Sequence, residues 1–194
     1  REAGWRVFTS PVILARNGWR HPYWTDGSIC GYALDNGAWT YHQAGKPFDE
    51  DAFKRSLDAV GEEADWIVLP DIVGGDITSL ELSMKWLDIV KGYAMPLLAV
   101  QDGLTPADVD YIVGAEVGLA IGGTTMWKEC SAMQWGDLAR RKKCYLHMLR
   151  VNTKRRINIC HYVGCDSFDG TSATQFPSTI PKLTEAARLN PFGE

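Results

Sequence analysis

The stretch DEDAFKRSLDAVGEEADWIVLPD, residues 49–71, decides the fold. Its first part opens with acids and brings Phe53, Leu57 and Val60 onto one face at helical spacing, which predicts a helix over 49–64. DWIVLPD, 65–71, then reads as a buried strand that ends in an acid. The same unit recurs downstream. ITSLELSMKWLDIVKGY (77–93) leads into PLLAVQD (96–102), TPADVDYIVG (105–114) into EVGLAIGG (116–123), and MWKECSAMQWGDLARRKK (126–143) into CYLHMLRVN (144–152). TKRRINICHYVG (153–164) leads into CDSFDG (165–170).

Buried strands separated by single helices imply a parallel sheet with right-handed crossovers. PVILAR (11–16) and GYALD (31–35) are expected to be strands as well. The series then holds about seven strands, with VFTS (7–10) or the C-terminal segment as the expected eighth. A compact (β/α)8 TIM-type barrel fits this best, as one domain over 1–194. A doubly wound open sheet is the alternative, but no G-x-G-x-x-G or Walker loop marks a switch point.

Polar residues and a glycine pair gather at the predicted strand exits: Asp35, Asp71, Gln101 with Asp102, Gly122 with Gly123, Arg150 with Asn152, and Asp169. In a barrel these exits share the C-terminal rim, where barrel enzymes build their sites. The segment GCDSFDGTSATQFP (164–177) carries Asp166 and Asp169 on either side of Phe168 and runs into small polar residues. YALDNGAW (32–39) delivers Asp35 in the same manner, so the two segments are expected to serve one pocket.

The chain of 194 residues is 45% hydrophobic and 23% charged, ordinary globular composition. No apolar run approaches the roughly 20 residues that span a bilayer, and no secretion signal is visible, so a soluble, cytoplasmic protein is expected, in a host cytoplasm if the source is viral. The five cysteines lack any Cys-x-x-Cys pair, which argues against a disulfide framework and a zinc knuckle. Cys160, Cys165 and His161 lack a fourth ligand at sensible spacing, so no metal is assigned. Net charge is −4, yet the basic residues cluster in RRKK (140–143) and RVNTKRR (150–156). RRKK also fits the solvated last turn of a helix, whereas the second cluster is the candidate polyanion site.

Each feature has an ordinary structural use too. Asp35-Asn36-Gly37 is turn chemistry, and Asp71 serves equally as a cap for a helix beginning near Thr78. Gln101 offers a donor and an acceptor to a heterocycle edge. Gly122 and Gly123 let backbone approach a ligand, or simply permit a tight turn. Trp39 is the tryptophan expected near a ligand. His147, between Leu146 and Met148, reads first as a satisfied buried histidine and second as a catalytic one.

Taken together these segments resemble the tRNA-guanine transglycosylase superfamily, and most of all its compact DNA-modifying branch, the phage and bacterial DNA 7-deazaguanine transglycosylases. The resemblance runs over roughly residues 30–177 in the right order. ALDNGAW stands at the family's Asp-Ser-Gly-Gly-Phe segment, which implies Asp35 as general acid/base. VLPD puts Asp71 at the base-recognition acid, and AVQDG puts Gln101 at the Gln-Gly-Gly segment. GLAIGG is similar to Gly-Leu-Ala-Val-Gly, which implies heterocycle contacts from the backbone of Gly118, Leu119 and Ala120. CYLHMLRVNTKRRINICHYVGCDSFDG resembles the segment that ends in the nucleophile strand, and Asp169 is the nucleophile that this implies.

Two departures stand out. No cysteine-rich zinc subdomain follows the nucleophile strand, and the family's Pro-Thr-Arg run is Gly170-Thr171-Ser172 here. Both point to the DNA-acting branch.

The resemblance implies a pentosyltransferase that needs no cofactor and exchanges guanine in DNA for a 7-deazaguanine base of the preQ0 type, a modification that protects DNA from restriction. Asp169 forms a covalent glycosyl-aspartate, Asp35 moves the proton, and Asp71, Gln101, Gly118, Leu119, Ala120, Gly122, Trp39 and His147 receive the base. Arg150, Lys154, Arg155 and Arg156 are the candidates for its phosphates. Asp166 is assigned a supporting place, with an exchange of roles with Asp169 left open. DNA and the free base are the expected partners, with tRNA as the alternative polymer, a homodimer as the form the superfamily suggests, and no membrane. A nucleosidase or retaining glycosidase on the same barrel, and a non-catalytic nucleic-acid-binding barrel, are the competing readings.

Overall fold

Helix and strand alternate along the chain as the apolar spacing requires. The computed structural model describes residues 5–23, 27–28 and 30–189. These fall into two compact units, Arg1–Ala99 and Val100–Glu194.

The first unit holds strands β1 (Val7–Thr9), β2 (Tyr32–Leu34), β3 (Ile67–Val68) and most of β4 (Pro96–Val100), with helices α1 (Pro11–Arg16), α2 (Ala38–Gln43), α3 (Glu50–Val60) and α4 (Ile77–Lys91) between them. The strands pair in parallel, with Thr9 opposite Leu34, Leu34 opposite Ile67, and Val68 opposite Leu97. Helix α3 forms as its sequence indicates. The Asp49 carboxylate accepts the Ala52 N–H at 2.9 Å, Glu50 and Asp51 occupy the electropositive first turn, and Phe53, Leu57 and Val60 are buried on one stripe.

The second unit begins with the last residue of β4, Val100, and continues with α5 (Pro106–Val109), β5 (Gly118–Ile121), α6 (Thr125–Lys142), β6 (Leu146–Met148), α7 (Lys154–Val163) and β7 (Ser167–Phe168). Here Ala120 lies opposite His147 and His147 opposite Ser167, again in parallel. Helices α6 and α7 approach closely because Gly136 has no side chain: a Cβ there would overlap the Val163 carbonyl oxygen. Within each unit the parallel strands neighbour one another in chain order, β1 to β4 in the first and β5 to β7 in the second. That order is compatible with a TIM-type barrel.

Two expectations are corrected at the chain's start. PVILAR is not a strand but helix α1, with Ser10 at its N-cap and Pro11 at the first helical position. Proline suits that place because its fixed φ is helical and its missing N–H would have no intrahelical acceptor. The run is apolar but its burial is helical: Pro11 and Leu14 are buried while Ile13 is 42% exposed. The strand of this region is VFT, one segment earlier, so VFTS supplies the first strand rather than an eighth.

The C-terminal segment forms helices α8 (Ser172–Gln175) and α9 (Ile180–Arg188) and a 3-10 turn, Pro177–Thr179. No eighth strand is present among the described residues. Nor, among them, is any helix long and apolar enough to cross a membrane.

Candidate functional site

In the first unit the exits of β2 and β3 carry the two acids. Asp35 directly follows β2 and extends its ladder, its N–H donating to the Thr9 carbonyl at 2.7 Å. Gly37 takes a left-handed φ of 81° and turns the chain into α2. Between them Asn36, 2% exposed, reaches the next strand exit: its Nδ2 donates to the Leu69 carbonyl and to Asp71 Oδ1, both at 2.6 Å, while its Oδ1 accepts the Ala38 N–H at 2.7 Å.

Asp71 is therefore a buried carboxylate held by a neighbour's amide. The cap of α4 is Asp76, whose carboxylate accepts the Thr78 N–H at 3.3 Å. The loop that carries Asp71 is tied to α4 by Ser83, which donates to the Pro70 carbonyl at 2.8 Å, and by Ser79, which accepts the Ile72 N–H at 3.0 Å. Trp39 stands on α2, 40% exposed, with its ring stacked 5.9 Å from His42.

In the second unit Gln101 follows β4 and is almost wholly buried. Its Oε1 accepts the Gly123 N–H at 2.9 Å, which fixes the amide with Nε2 against Gly122, where a Cβ would come within 2.7 Å of that nitrogen. Asp102 accepts from both the N–H and the hydroxyl of Thr124, at 2.6 and 2.7 Å. Gly118, Leu119 and Ala120 make up the buried body of β5, with the Leu119 N–H donating to the Tyr145 carbonyl. The glycines that meet Gln101 are Gly122 and Gly123, one step further along.

The exits of β6 and β7 converge on Asp169. Its Oδ1 accepts the Arg150 N–H at 2.9 Å and lies 3.2 Å from His147 Nε2, with the side chain 15% exposed. His147 is buried, and its other nitrogen lies 2.7 Å from Ser167 Oγ, which in turn accepts the Tyr145 hydroxyl at 2.8 Å. An ionised carboxylate only accepts, so the Nε2 proton points at Asp169, while Tyr145 donates to the Ser167 hydroxyl that meets Nδ1.

Asp166 sits at the opposite end of β7. Its Oδ2 accepts the Leu146 N–H at 2.8 Å and its own N–H donates to the Leu146 carbonyl at the same distance, an anchor at the strand's entry.

No family model matches this chain, and no curated protein matches it at a significant level.

The basic cluster is divided among several tasks. Arg150 takes a left-handed φ of 59° and its guanidinium donates to the Gly123 carbonyl. Arg155 and Arg156 both pair with Glu129 of α6, each at 2.9 Å, and Lys154 is exposed at the start of α7. RRKK ends α6, where Arg141 and Lys142 pair with Asp110.

Two residues without an expected role prove central. Asn36 was hidden inside turn chemistry. Lys128, in the second turn of α6, is 2% exposed and its ammonium donates to the Leu149 carbonyl. Burial, then the positive Arg150, pushes its pKa down to about 8, while Asp169 acts in the opposite sense.

The thiols that precede β6 and β7 are poor nucleophiles. Cys165 is pushed up by its hydrogen bond with Cys160 and by burial, and Cys144 by burial. Among the described residues no three His, Cys, Asp or Glu side chains are grouped to hold a metal.

Proposed function

We propose that the protein is a DNA-guanine transglycosylase that exchanges guanine for a 7-deazaguanine base through a glycosyl-aspartate on Asp169. The observation that carries the reading is the engagement of Asp169, whose Oδ1 is held by the Arg150 N–H at 2.9 Å and by His147 at 3.2 Å, at the exit of a parallel strand. Two partners on one oxygen fix the direction of the carboxyl group, as positioning for attack requires. The order of the motifs, from ALDNGAW to CDSFDG, supports the superfamily and with it a (β/α)8 barrel.

In this reading a carboxylate oxygen of Asp169 attacks C1′ of the target deoxyguanosine. The C1′–N9 bond breaks, its electron pair leaves with guanine, and Asp35 supplies the proton. The incoming base then attacks C1′ through its own ring nitrogen, returns a proton to Asp35, and displaces the aspartate. Splitting one substitution into two is the use of a covalent intermediate, and the two acids divide the work as in retaining glycosidases.

Asp71 accepts from guanine N1–H and its 2-amino group. Gln101, with the backbone of Gly118 to Ala120, reads the O6 side. Adenine would leave these buried groups mispaired. The nucleotide must leave the stack to expose C1′, Trp39 offers a stacking surface, and Arg150, Lys154, Arg155 and Arg156 are the phosphate contacts. Gly170-Thr171-Ser172, in place of the Pro-Thr-Arg run of the tRNA enzymes, favours DNA.

The test follows labelled guanine and labelled 7-cyano-7-deazaguanine into duplex DNA and into bulk tRNA, for the intact chain and for Asp169→Asn. Label in DNA alone, lost in the variant, supports the reading. Label in tRNA alone moves the enzyme to the tRNA branch, and base release without incorporation makes it a hydrolase.

A further inference from the structure

The peptide unit between Leu149 and Arg150 has a charged group on each side. Its carbonyl accepts from the Lys128 ammonium, and its N–H donates to Asp169 Oδ1 at 2.9 Å. In a trans peptide the C=O and N–H point in opposite directions, so one rigid plane links a buried cation to a carboxylate. Its dipole is oriented favourably to both: the oxygen end faces the positive charge and the hydrogen end faces the negative one.

The backbone there would not hold this plane unaided. Arg150 has a φ of 59°, a left-handed conformation that costs an L-residue roughly 1–2 kcal/mol. Such strain persists where surrounding contacts over-determine it, and three do so here. Lys128 holds the carbonyl, Asp169 holds the N–H, and the Arg150 guanidinium reaches the Gly123 carbonyl.

Burying an ammonium is expensive, and Lys128 lies among Arg150, Arg156, Cys160 and Asp169. Of these neighbours Arg150 and Arg156 repel it, and Glu129 of α6 is already engaged by Arg155 and Arg156. A methionine would fill the same volume at lower cost. What the ammonium adds over such a side chain is its donation to the Leu149 carbonyl.

We infer that Lys128 is a positioning residue, which acts through the Leu149–Arg150 peptide to hold the Asp169 carboxylate in its attacking orientation. The inference rests on Asp169 being the nucleophile of the proposed reaction, but the linkage between the two charges exists without it. A protonated Lys128 is the working form. Above about pH 8 the ammonium loses its proton, its pull on the Leu149 carbonyl weakens, and the peptide is no longer clamped.

The test has an arm that needs no catalysis. The lysine side-chain 13Cε signal of Lys128, assigned by its loss in Lys128→Met, is titrated in the intact chain and in Asp169→Asn. A midpoint near 8 that falls when the Asp169 charge is removed is expected. A midpoint near the ordinary 10.5, or one that ignores Asp169→Asn, overturns the linkage.

The second arm measures base exchange against pH. Lys128→Met is expected to lower kcat by about 10- to 100-fold with KM little changed, because misplacement of a reacting group costs rate and not binding. The intact enzyme loses activity as Lys128 deprotonates near pH 8, and Lys128→Arg, which cannot titrate there, keeps activity to higher pH. Thermal melts of each variant separate misfolding from misplacement. Full kcat in a folded Lys128→Met overturns the positioning role. An intact chain that exchanges no base overturns the proposed function and leaves the NMR arm to judge the linkage.

Discussion

His147 and Asp169 are joined across two parallel strands: Nε2 lies 3.2 Å from Oδ1, and the far side of the imidazole is fixed 2.7 Å from Ser167 Oγ. Both ring nitrogens are occupied, so the histidine supports the carboxylate and is not itself poised to take a proton from substrate.

His147→Phe keeps the ring and removes both polar contacts. It leaves Ser167 and Asp169 each short of a partner, a loss of about 1–3 kcal/mol for a buried polar group. Chemical denaturation is expected to show that loss. In exchange assays His147→Gln, which keeps a donor, retains more activity than His147→Phe.

Asn36 governs Asp71 as His147 governs Asp169. Asn36→Asp would place a second carboxylate about where Nδ2 now sits 2.6 Å from Asp71 Oδ1. Two carboxylates that close cannot both ionise cheaply, so the pair takes up a proton in the folded state. A raised folded-state pKa means that the variant's stability is fully present at acid pH and falls as pH rises through the pair's folded-state pKa. Denaturation midpoints at pH 5 and pH 8 are expected to differ far more than in the parent chain. Equal midpoints would contradict the close contact.

Two buried groups give the protein an alkaline stability profile with opposite slopes. Lys128 titrates at about 8 when folded and 10.5 when unfolded, so between those values the unfolded chain holds more protons. Stability therefore rises with pH across that window, by an amount on the order of 3 kcal/mol if the whole shift is expressed. Tyr32, which donates to the Val60 carbonyl, is pushed from 10.0 up to about 12 by burial and by Glu63 and Asp65. Its contribution is present below pH 10 and is lost as pH climbs to about 12, and Tyr41 and Tyr93 shift in the same direction. Urea midpoints are expected to peak near pH 10. The rise vanishes in Lys128→Met, and the later fall shrinks in Tyr32→Phe.

Gly136→Ala tests the packing of the second unit. The added methyl meets the Val163 carbonyl oxygen inside van der Waals distance, so α6 and α7 must separate. The gain in helix propensity is outweighed by overpacking, at about 1–3 kcal/mol. A thermal melt above that of the parent chain would contradict the close approach.

Much of this fold is legible in the sequence because period and capping agree. Phe53, Leu57 and Val60 follow the helical repeat behind a capping Asp49, and WIVLP is too short and too apolar for anything but a buried strand. PVILAR misleads because a six-residue apolar run has no readable period, and the deciding signal is Pro11 after Ser10. Among the candidate residues, Asp35 and Asp71 of the first unit and Gln101 and Asp169 of the second can be picked out because an acid or amide at a strand exit contrasts with its surroundings. Asn36 and Lys128 cannot. Asn36 matches the composition of any turn, and Lys128 matches a solvated helix residue until the helix's buried face is known. The pairing of Arg155 and Arg156 with Glu129 is hidden likewise, since it depends on how α6 and α7 meet.

The measurement that bears most directly on Asp169 is capture of the covalent intermediate. The protein is incubated with guanine-containing duplex DNA without an incoming base, denatured, digested, and mapped by mass spectrometry. A deoxyribosyl-DNA adduct on the peptide containing Asp169, absent from Asp169→Asn and discharged by added 7-deazaguanine base, is the predicted result. Base exchange that proceeds in Asp169→Asn, or an adduct mapped to any other residue, would contradict it.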